Sequence, residues 1–259
     1  MSNKTKITVL GSGGSGGVPY AGNVWGKCDP NNPKNQRLRP SIFVQQGDTN
    51  IVIDTGPDFR QQINRIGFTG MITAVLYTHA HVDHILGIDD LRAFYVRNEK
   101  KPIPIYATEE TTGHLNTRFD YIFNQLHPIY PPTVTPYILP ETLKIGDLEF
   151  QAINQIHGDM ETIGFRIGDF AYCTDVSELS PESLEKLKGV KTWIVGAFYS
   201  SEGQINHAGI DKVTAWIDII KPEMTYLTHL TAAADYDTMC RELPSHIRPA
   251  YDGLELIIE

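Results

Sequence analysis

Cysteine is scarce in this chain: Cys28, Cys173 and Cys240 stand far apart among 259 residues. They make no CxxC pair and no disulfide framework, and a reducing cytoplasm is the compartment that such usage fits. Long apolar runs are missing as well. No stretch approaches the length that crosses a bilayer. The N-terminus passes from a short polar lead straight into the strand-like run Ile7–Leu10, without the apolar region of a signal peptide. A cytoplasmic protein with no membrane partner is therefore expected. Basic residues are also few, 22 against 31 acidic, for a net charge of −9. That balance argues against broad, sequence-independent nucleic-acid binding, which needs a basic surface, so no stable nucleic-acid partner is expected. It leaves room for a small anionic substrate, because bound cations invert the field inside a pocket. Repeats, low-complexity segments and linkers are absent too, and one domain over residues 1–259 is expected.

The composition, 41% hydrophobic and 20% charged, is that of a folded globular chain and not a disordered one. Strand-like apolar segments recur at Ile7–Leu10, Ile42–Val44, Ile51–Ile53, Ala74–Tyr77, Ile103–Tyr106, Phe150–Ile153, Ile163–Ile167, Phe170–Tyr172, Thr192–Val195 and Thr225–Leu227. Helical patterns fall between them at about 58–66, 84–96, 109–123, 181–187, 208–220 and 232–243. Gly168-Asp169 between two apolar runs signals a tight hairpin. Sheets covered by helices, in a layered α/β arrangement, follow from this order. Residues 26–40, rich in Asn, Pro and basic side chains, read as a long surface loop.

The densest chemistry lies in Thr78-His79-Ala80-His81-Val82-Asp83-His84, directly after an apolar strand and before a helix pattern. His79 and His81, two apart, point the same way in an extended turn. Imidazole and carboxylate ligands suit zinc, manganese or iron. His157, Asp175 and His229 each follow the end of a later apolar strand, where α/β proteins collect functional groups. Asp54 ends the strand Ile51–Ile53, as a support for the ligand loop or as a turn cap.

His79-x-His81-x-Asp83-His84, with the later His157, Asp175 and His229 in order and Ile53-Asp54-Thr55-Gly56 ahead of them, resembles the metallo-β-lactamase superfamily. The resemblance implies a four-layer αβ/βα sandwich of two mixed sheets flanked by helices. It implies two divalent metal ions, Zn2+ or Mn2+. By that likeness His79, His81 and His157 hold one ion, Asp83, His84 and His229 hold the other, and Asp175 bridges them. Asp54 stands behind the ligands and orients their loop. Asp83 and His207 are the expected catalytic residues.

Within the superfamily the chain is similar to the phosphoribosyl cyclic phosphate phosphodiesterase group. The matching pieces are Leu10–Pro19, Arg39-Pro-Ser41, Gly87–Arg92, Asn206-His207, Leu227-Thr-His229 and Tyr251-Asp-Gly253. The likeness implies a phosphodiesterase for a small cyclic or nucleotide-like phosphodiester, with a homodimer as its assembly. Hydrolysis of another ester, a thioester or a lactone, and a non-catalytic role in cofactor biosynthesis, are the rival readings. In relatives a histidine near position 207 touches phosphate and donates a proton; the alternative is a histidine at a helix start, with Asn206 as cap. Arg92 and Arg39 are candidate phosphate binders. For Arg92 an ion pair with Asp89 or Asp90 stands equally open. Tyr199 and Ser200 are candidate pocket residues. Relatives carry a cysteine-rich zinc knuckle after the first loop; here Cys28 is alone, and no structural zinc is expected. Gly11-x-Gly13-x-x-Gly16 matches a dinucleotide fingerprint, but no helix pattern or acidic partner follows it. A backbone passing close to the metal site or substrate is the expected use of those glycines.

Overall fold

The computed structural model describes residues 4–125, 131–200 and 204–258. Among them two seven-stranded sheets lie face to face. The first holds β1 (Thr5–Gly11), β2 (Ser41–Gln46), β3 (Thr49–Ile53), β4 (Ala74–Leu76), β5 (Ile103–Ala107), β6 (Val134–Ile138) and, at its far edge, β14 (Glu255–Ile258), in the order β14-β1-β2-β3-β4-β5-β6. The second holds β7 (Thr142–Ile145), β8 (Leu148–His157), β9 (Met160–Ile167), β10 (Phe170–Cys173), β11 (Thr192–Gly196), β12 (Met224–Thr228) and β13 (Ile247–Pro249), in the order β13-β12-β11-β10-β9-β8-β7. Each sheet is mixed. Antiparallel pairing through β1-β2-β3 gives way to parallel pairing from β3 to β6, and β7 to β10 are antiparallel before the parallel set β10 to β13. Helices α1 (Phe59–Arg65), α2 (Val82–Ile85), α3 (Leu91–Arg97), α4 (Glu109–Arg118) and α5 (Asp120–Phe123) follow strands of the first sheet. Helices α6 (Pro181–Leu187), α7 (Ile210–Ile220) and α8 (Tyr236–Glu242) follow strands of the second.

Strand periodicity explains the layering. Alternate side chains of a strand face opposite sides, so a sheet buried on both faces is apolar throughout. In β3, Ile51 and Ile53 join Phe150, Phe165 and Tyr172 in the core between the sheets, while Val52 joins Phe59, Ile63 and Leu115 under the outer helices. In the second sheet Ala171, Trp193 and Val195 face out onto Leu187, Val213, Trp216 and Met239. The result is the four-layer αβ/βα sandwich. The Gly168-Asp169 hairpin joins β9 to β10, pairing Ile167 with Phe170.

Two long helical patterns are interrupted. The pattern over 84–96 resolves into α2, a tight turn at Ile88–Asp90 and α3. The His84 carbonyl accepts from Thr55 N at 2.8 Å, and Gly87 N donates to Thr55 O at 2.8 Å. Those groups serve the Asp54–Gly56 loop instead of a continuous helix. The pattern over 109–123 breaks at Phe119, whose φ of −129° is not helical. Strands β6, β7, β13 and β14 were not foreseen.

Candidate metal centre

The candidate ligands, and Asp54 behind them, sit where strand ends meet at one rim of the sandwich. Asp54 follows β3, His79 and His81 follow β4, His157 ends β8, Asp175 follows β10 and His229 follows β12. Three of these residues, Asp54, Asp175 and His229, hold left-handed backbone with φ of 64°, 48° and 59°. Non-glycine residues seldom adopt that conformation, and it concentrates at functional sites.

Seven side chains converge. His79, His81, His157 and Asp175 each bring one ligand atom within 4.8 Å of the others, and Asp83, His84, Asp175 and His229 do the same. Asp175 belongs to both groups, an arrangement suited to two cations that share one carboxylate. His84 Nε2 lies 3.1 Å from Asp175 Oδ2 and 3.4 Å from Asp83 Oδ2. His229 Nε2 lies 3.2 Å from Asp175 Oδ1 and 3.4 Å from Asp83 Oδ2, and His157 Nε2 lies 3.6 Å from Asp175 Oδ1. Ligands about 2.1 Å from a tetrahedral cation stand about 3.4 Å from one another. The Nε2 atoms of His79 and His84 are buried and make no hydrogen bond, which costs free energy unless a cation takes the lone pair.

The neighbours of the histidines settle which nitrogen carries the proton. Asp54, fully buried, accepts from Thr78 N at 2.8 Å, from Thr78 Oγ1 at 2.8 Å and from His84 Nδ1 at 2.7 Å. Because the Thr78 hydroxyl donates to Asp54, it accepts from His79 Nδ1 at 2.9 Å. His157 Nδ1 donates to the Asn206 carbonyl at 2.5 Å. In all three rings Nδ1 holds the hydrogen and Nε2 keeps its lone pair for a cation, as ligating imidazoles require.

The ligand segment is fitted against the Asp54–Gly56 turn with no spare room. A Cβ on Gly56 would fall 2.1 Å from the Asp83 carbonyl oxygen. The glycine loop runs beside the other end of the site, with no helix opening at it. Gly14 N donates to Leu230 O and Leu230 N to Ser12 O, which lays the loop along His229; a Cβ on Gly14 would lie 3.3 Å from that ring.

His207 closes the cluster. Its ring centroid is 4.7 Å from that of His157 and 4.6 Å from that of His229. Burial pushes its imidazole down to about 4. Its loop is pinned by Ala208 N on Val176 O and by the Asn206 carbonyl on His157. Asn206 is thus no helix cap; Gly209 holds that position before α7. A cleft of about 290 Å³ opens over the cluster, lined by His81, Asp83, Arg118, His157, Asp175 and His207 among others.

The two arginines singled out in the sequence are elsewhere. Arg92 pairs with Asp89 at 3.4 Å and lies over Tyr121. It is not among the residues lining the cleft. Arg39 pairs with Asp58 at 3.1 Å and donates from Nε to Ser15 O, which braces the glycine loop. Tyr199 is bound to Glu242 and not to the cleft. Cys28 packs against Arg37 and the Ala232 carbonyl. Arg118, at the end of α4, is the residue that sequence reasoning missed. It lines the cleft and donates to the Ala80 carbonyl between His79 and His81. No local motif surrounds it. Its only sequence mark is a basic side chain in a helix's last turn, which is common for electrostatic reasons.

Comparison with known proteins agrees with this fold. A solved structure described as a new diphosphatase from the PhnP family superposes with a TM-score of 0.89 at 35% identity, covering 98% of this chain and 97% of that one. The Zn2+-bound PqqB of Methylobacterium extorquens shares the fold, with a TM-score of 0.72 at 21% identity over 97% of this chain and 99% of that one. A protein named octanoyltransferase from Porphyromonas gingivalis is 31% identical over 98% of this chain but 52% of its own length, so the chain spans about half of that curated relative. The family model described as a beta-lactamase superfamily domain matches residues 49–230. That span runs from the strand before Asp54 past His229, and the chain accordingly belongs to the metallo-β-lactamase superfamily.

Proposed function

We propose that the protein is a dinuclear metal-dependent phosphodiesterase acting on a small cyclic or nucleotide-like phosphodiester, with zinc or manganese as its metal. The observation that carries this reading is the pair of ligand groups sharing Asp175 beneath a cleft that also holds His207 and Arg118. His79, His81 and His157 would hold one ion, Asp83, His84 and His229 the other. When bound, two such ions supply hydroxide at neutral pH and polarise a phosphoryl oxygen.

The chain's own residues do the rest. Asp54 and the Asn206 carbonyl keep Nδ1 of His84 and His157 protonated, so that Nε2 faces the ions. His207, uncharged at neutral pH, offers one N–H to a phosphoryl or leaving oxygen, where charge builds up as the bond breaks. Arg118 adds a planar cationic donor at the mouth, suited to a phosphate oxygen. The three carboxylates Asp54, Asp83 and Asp175 would, with one hydroxide, balance two divalent ions, and the Arg118 guanidinium then leaves the cleft net positive, which favours a phosphodiester monoanion over a neutral lactam or lactone.

The test is a substrate panel on metal-loaded protein: bis(p-nitrophenyl) phosphate and 2′,3′-cyclic nucleotides against lactams, lactones and thioesters. Turnover of the phosphodiesters alone is expected. Turnover of a lactone or thioester with inert phosphodiesters would overturn the reading.

A further inference from the structure

His207 divides the space above the metal centre. On its far side lies a second cavity of about 270 Å³, lined by Gly14, Tyr20, Phe198, Gln204 and Thr231, with Ser15, His207 and His229 as the wall common to both. The proposed chemistry uses nothing in this second cavity beyond those two histidines.

Its two aromatic rings lie outside the apolar cores, although the Tyr20 hydroxyl accepts from Ala232 N at 3.4 Å. Among the described residues, neither Tyr20 nor Phe198 belongs to an apolar core cluster, and neither pairs with another aromatic ring. Tyr20 is 37% exposed. Aromatic side chains carry a large apolar area, and a fold ordinarily buries them. Both are nevertheless held from rigid backbone. Tyr20 sits in a tight turn, with Tyr20 N on Val24 O at 2.9 Å and Val24 N on Tyr20 O at 3.2 Å. Its ring lies against Gly16, where a Cβ would meet Cδ1 at 2.6 Å, so only glycine leaves the ring this place. Phe198 follows β11, and its N donates to Ala208 O at 2.9 Å in the loop that carries His207. Gln204, whose N donates to His207 O at 2.9 Å, adds an amide with both donor and acceptor. Ser15 and Thr231 add hydroxyls. Two available rings with a few polar groups between them form the usual lining of a site for a flat heterocycle.

We propose that this second cavity is a subsite for a planar ring of the substrate, a nucleobase or similar heterocycle, seated against Tyr20 and Phe198 while the phosphorus lies on the other side of His207. The inference rests on the phosphodiesterase reading and narrows its substrate class to nucleotide-like esters. His207 then meets the oxygen that joins phosphorus to the ring-bearing part.

Two pairs of probes differ only in the ring. The first pair, read by hydrolysis, is adenosine 2′,3′-cyclic phosphate and methyl riboside 2,3-cyclic phosphate. The second, read by calorimetric binding, is 3′-AMP and methyl riboside 3-phosphate. All are applied to Mn2+-loaded protein. The wild type is expected to favour the adenosine member of each pair by about 10-fold or more in KM or Kd. In Tyr20→Leu and Phe198→Leu, which keep apolar volume, that preference falls, and in the double variant it drops to within about twofold; Tyr20→Phe keeps it. Metal content and thermal midpoint are measured alongside. A wild type that binds both members alike, or a double variant that keeps the preference, overturns the subsite. If no phosphodiester is hydrolysed, the functional reading fails and the binding pair still decides the ring subsite.

Discussion

Replacing Asp54 with asparagine changes one buried oxygen into an NH2 group and removes one charge, with almost no change of shape. Asparagine tolerates the left-handed backbone that Asp54 holds at φ 64°, so the main-chain cost is small. The hydrogen-bond cost is not. Thr78 N needs an acceptor at 2.8 Å, which fixes Oδ1 there and puts Nδ2 against Thr78 Oγ1 and His84 Nδ1. Both of those groups donate to the native carboxylate. With Nδ2 as donor, His84 Nδ1 must accept, and its hydrogen moves to Nε2. The Thr78 hydroxyl must accept as well, and it then donates to His79 Nδ1 at 2.9 Å. One ligand in each group is left with its lone pair on the wrong nitrogen. The opposite rotamer sets an NH2 against Thr78 N and leaves a buried donor unpaired, at about 1–3 kcal/mol. Loss of such a supporting carboxylate costs about 10–100-fold in metal affinity, or about 1.4–2.7 kcal/mol per ion. Competition with a chromophoric chelator measures it. Weakening at both ions is expected; an Asp54→Asn protein whose two affinities stay within twofold of wild type would refute the tautomer argument.

Three further outcomes follow from the geometry. His207→Ala should lower kcat on bis(p-nitrophenyl) phosphate by about 100-fold or more with two metals still bound; unchanged turnover removes His207 from the reaction. Gly56→Ala drives a methyl group to 2.1 Å from the Asp83 carbonyl, at about 1–3 kcal/mol, and should lower both the thermal midpoint and metal affinity; a wild-type midpoint would show that the ligand loop yields freely. Removing the ions with a chelator leaves Asp54, Asp83 and Asp175 buried beside one another. At a metal concentration about 1,000-fold above Kd the loss is about 4 kcal/mol per site, and scanning calorimetry should show a midpoint lower by about 10 °C or more.

The centre was legible in the sequence because its parts obey local rules. Four ligand residues among six positions leave few alternatives for His79–His84, and His157, Asp175 and His229 share the mark of following an apolar strand. The sandwich was legible because the central strands are apolar on both faces. The unforeseen strands are edges. β6 contains Pro136 and leaves Tyr137 and Ile138 exposed, and β7 alternates with exposed residues, so neither carries the buried-strand pattern. Of the two readings that the sequence left open for Arg92, the structure shows the ion pair with Asp89. Arg118 was invisible because only tertiary packing brings the end of α4 to the Ala80 carbonyl. The Tyr20–Phe198 cavity joins residues 178 positions apart, and no local pattern announces it.

The account depends most on two cations sharing Asp175. Anomalous diffraction at the manganese or zinc edge, from crystals of the metal-loaded protein, tests this directly. Two peaks on either side of the Asp175 carboxylate are predicted, one beside His79, His81 and His157 and the other beside Asp83, His84 and His229. A single peak, or peaks away from Asp175, would contradict it.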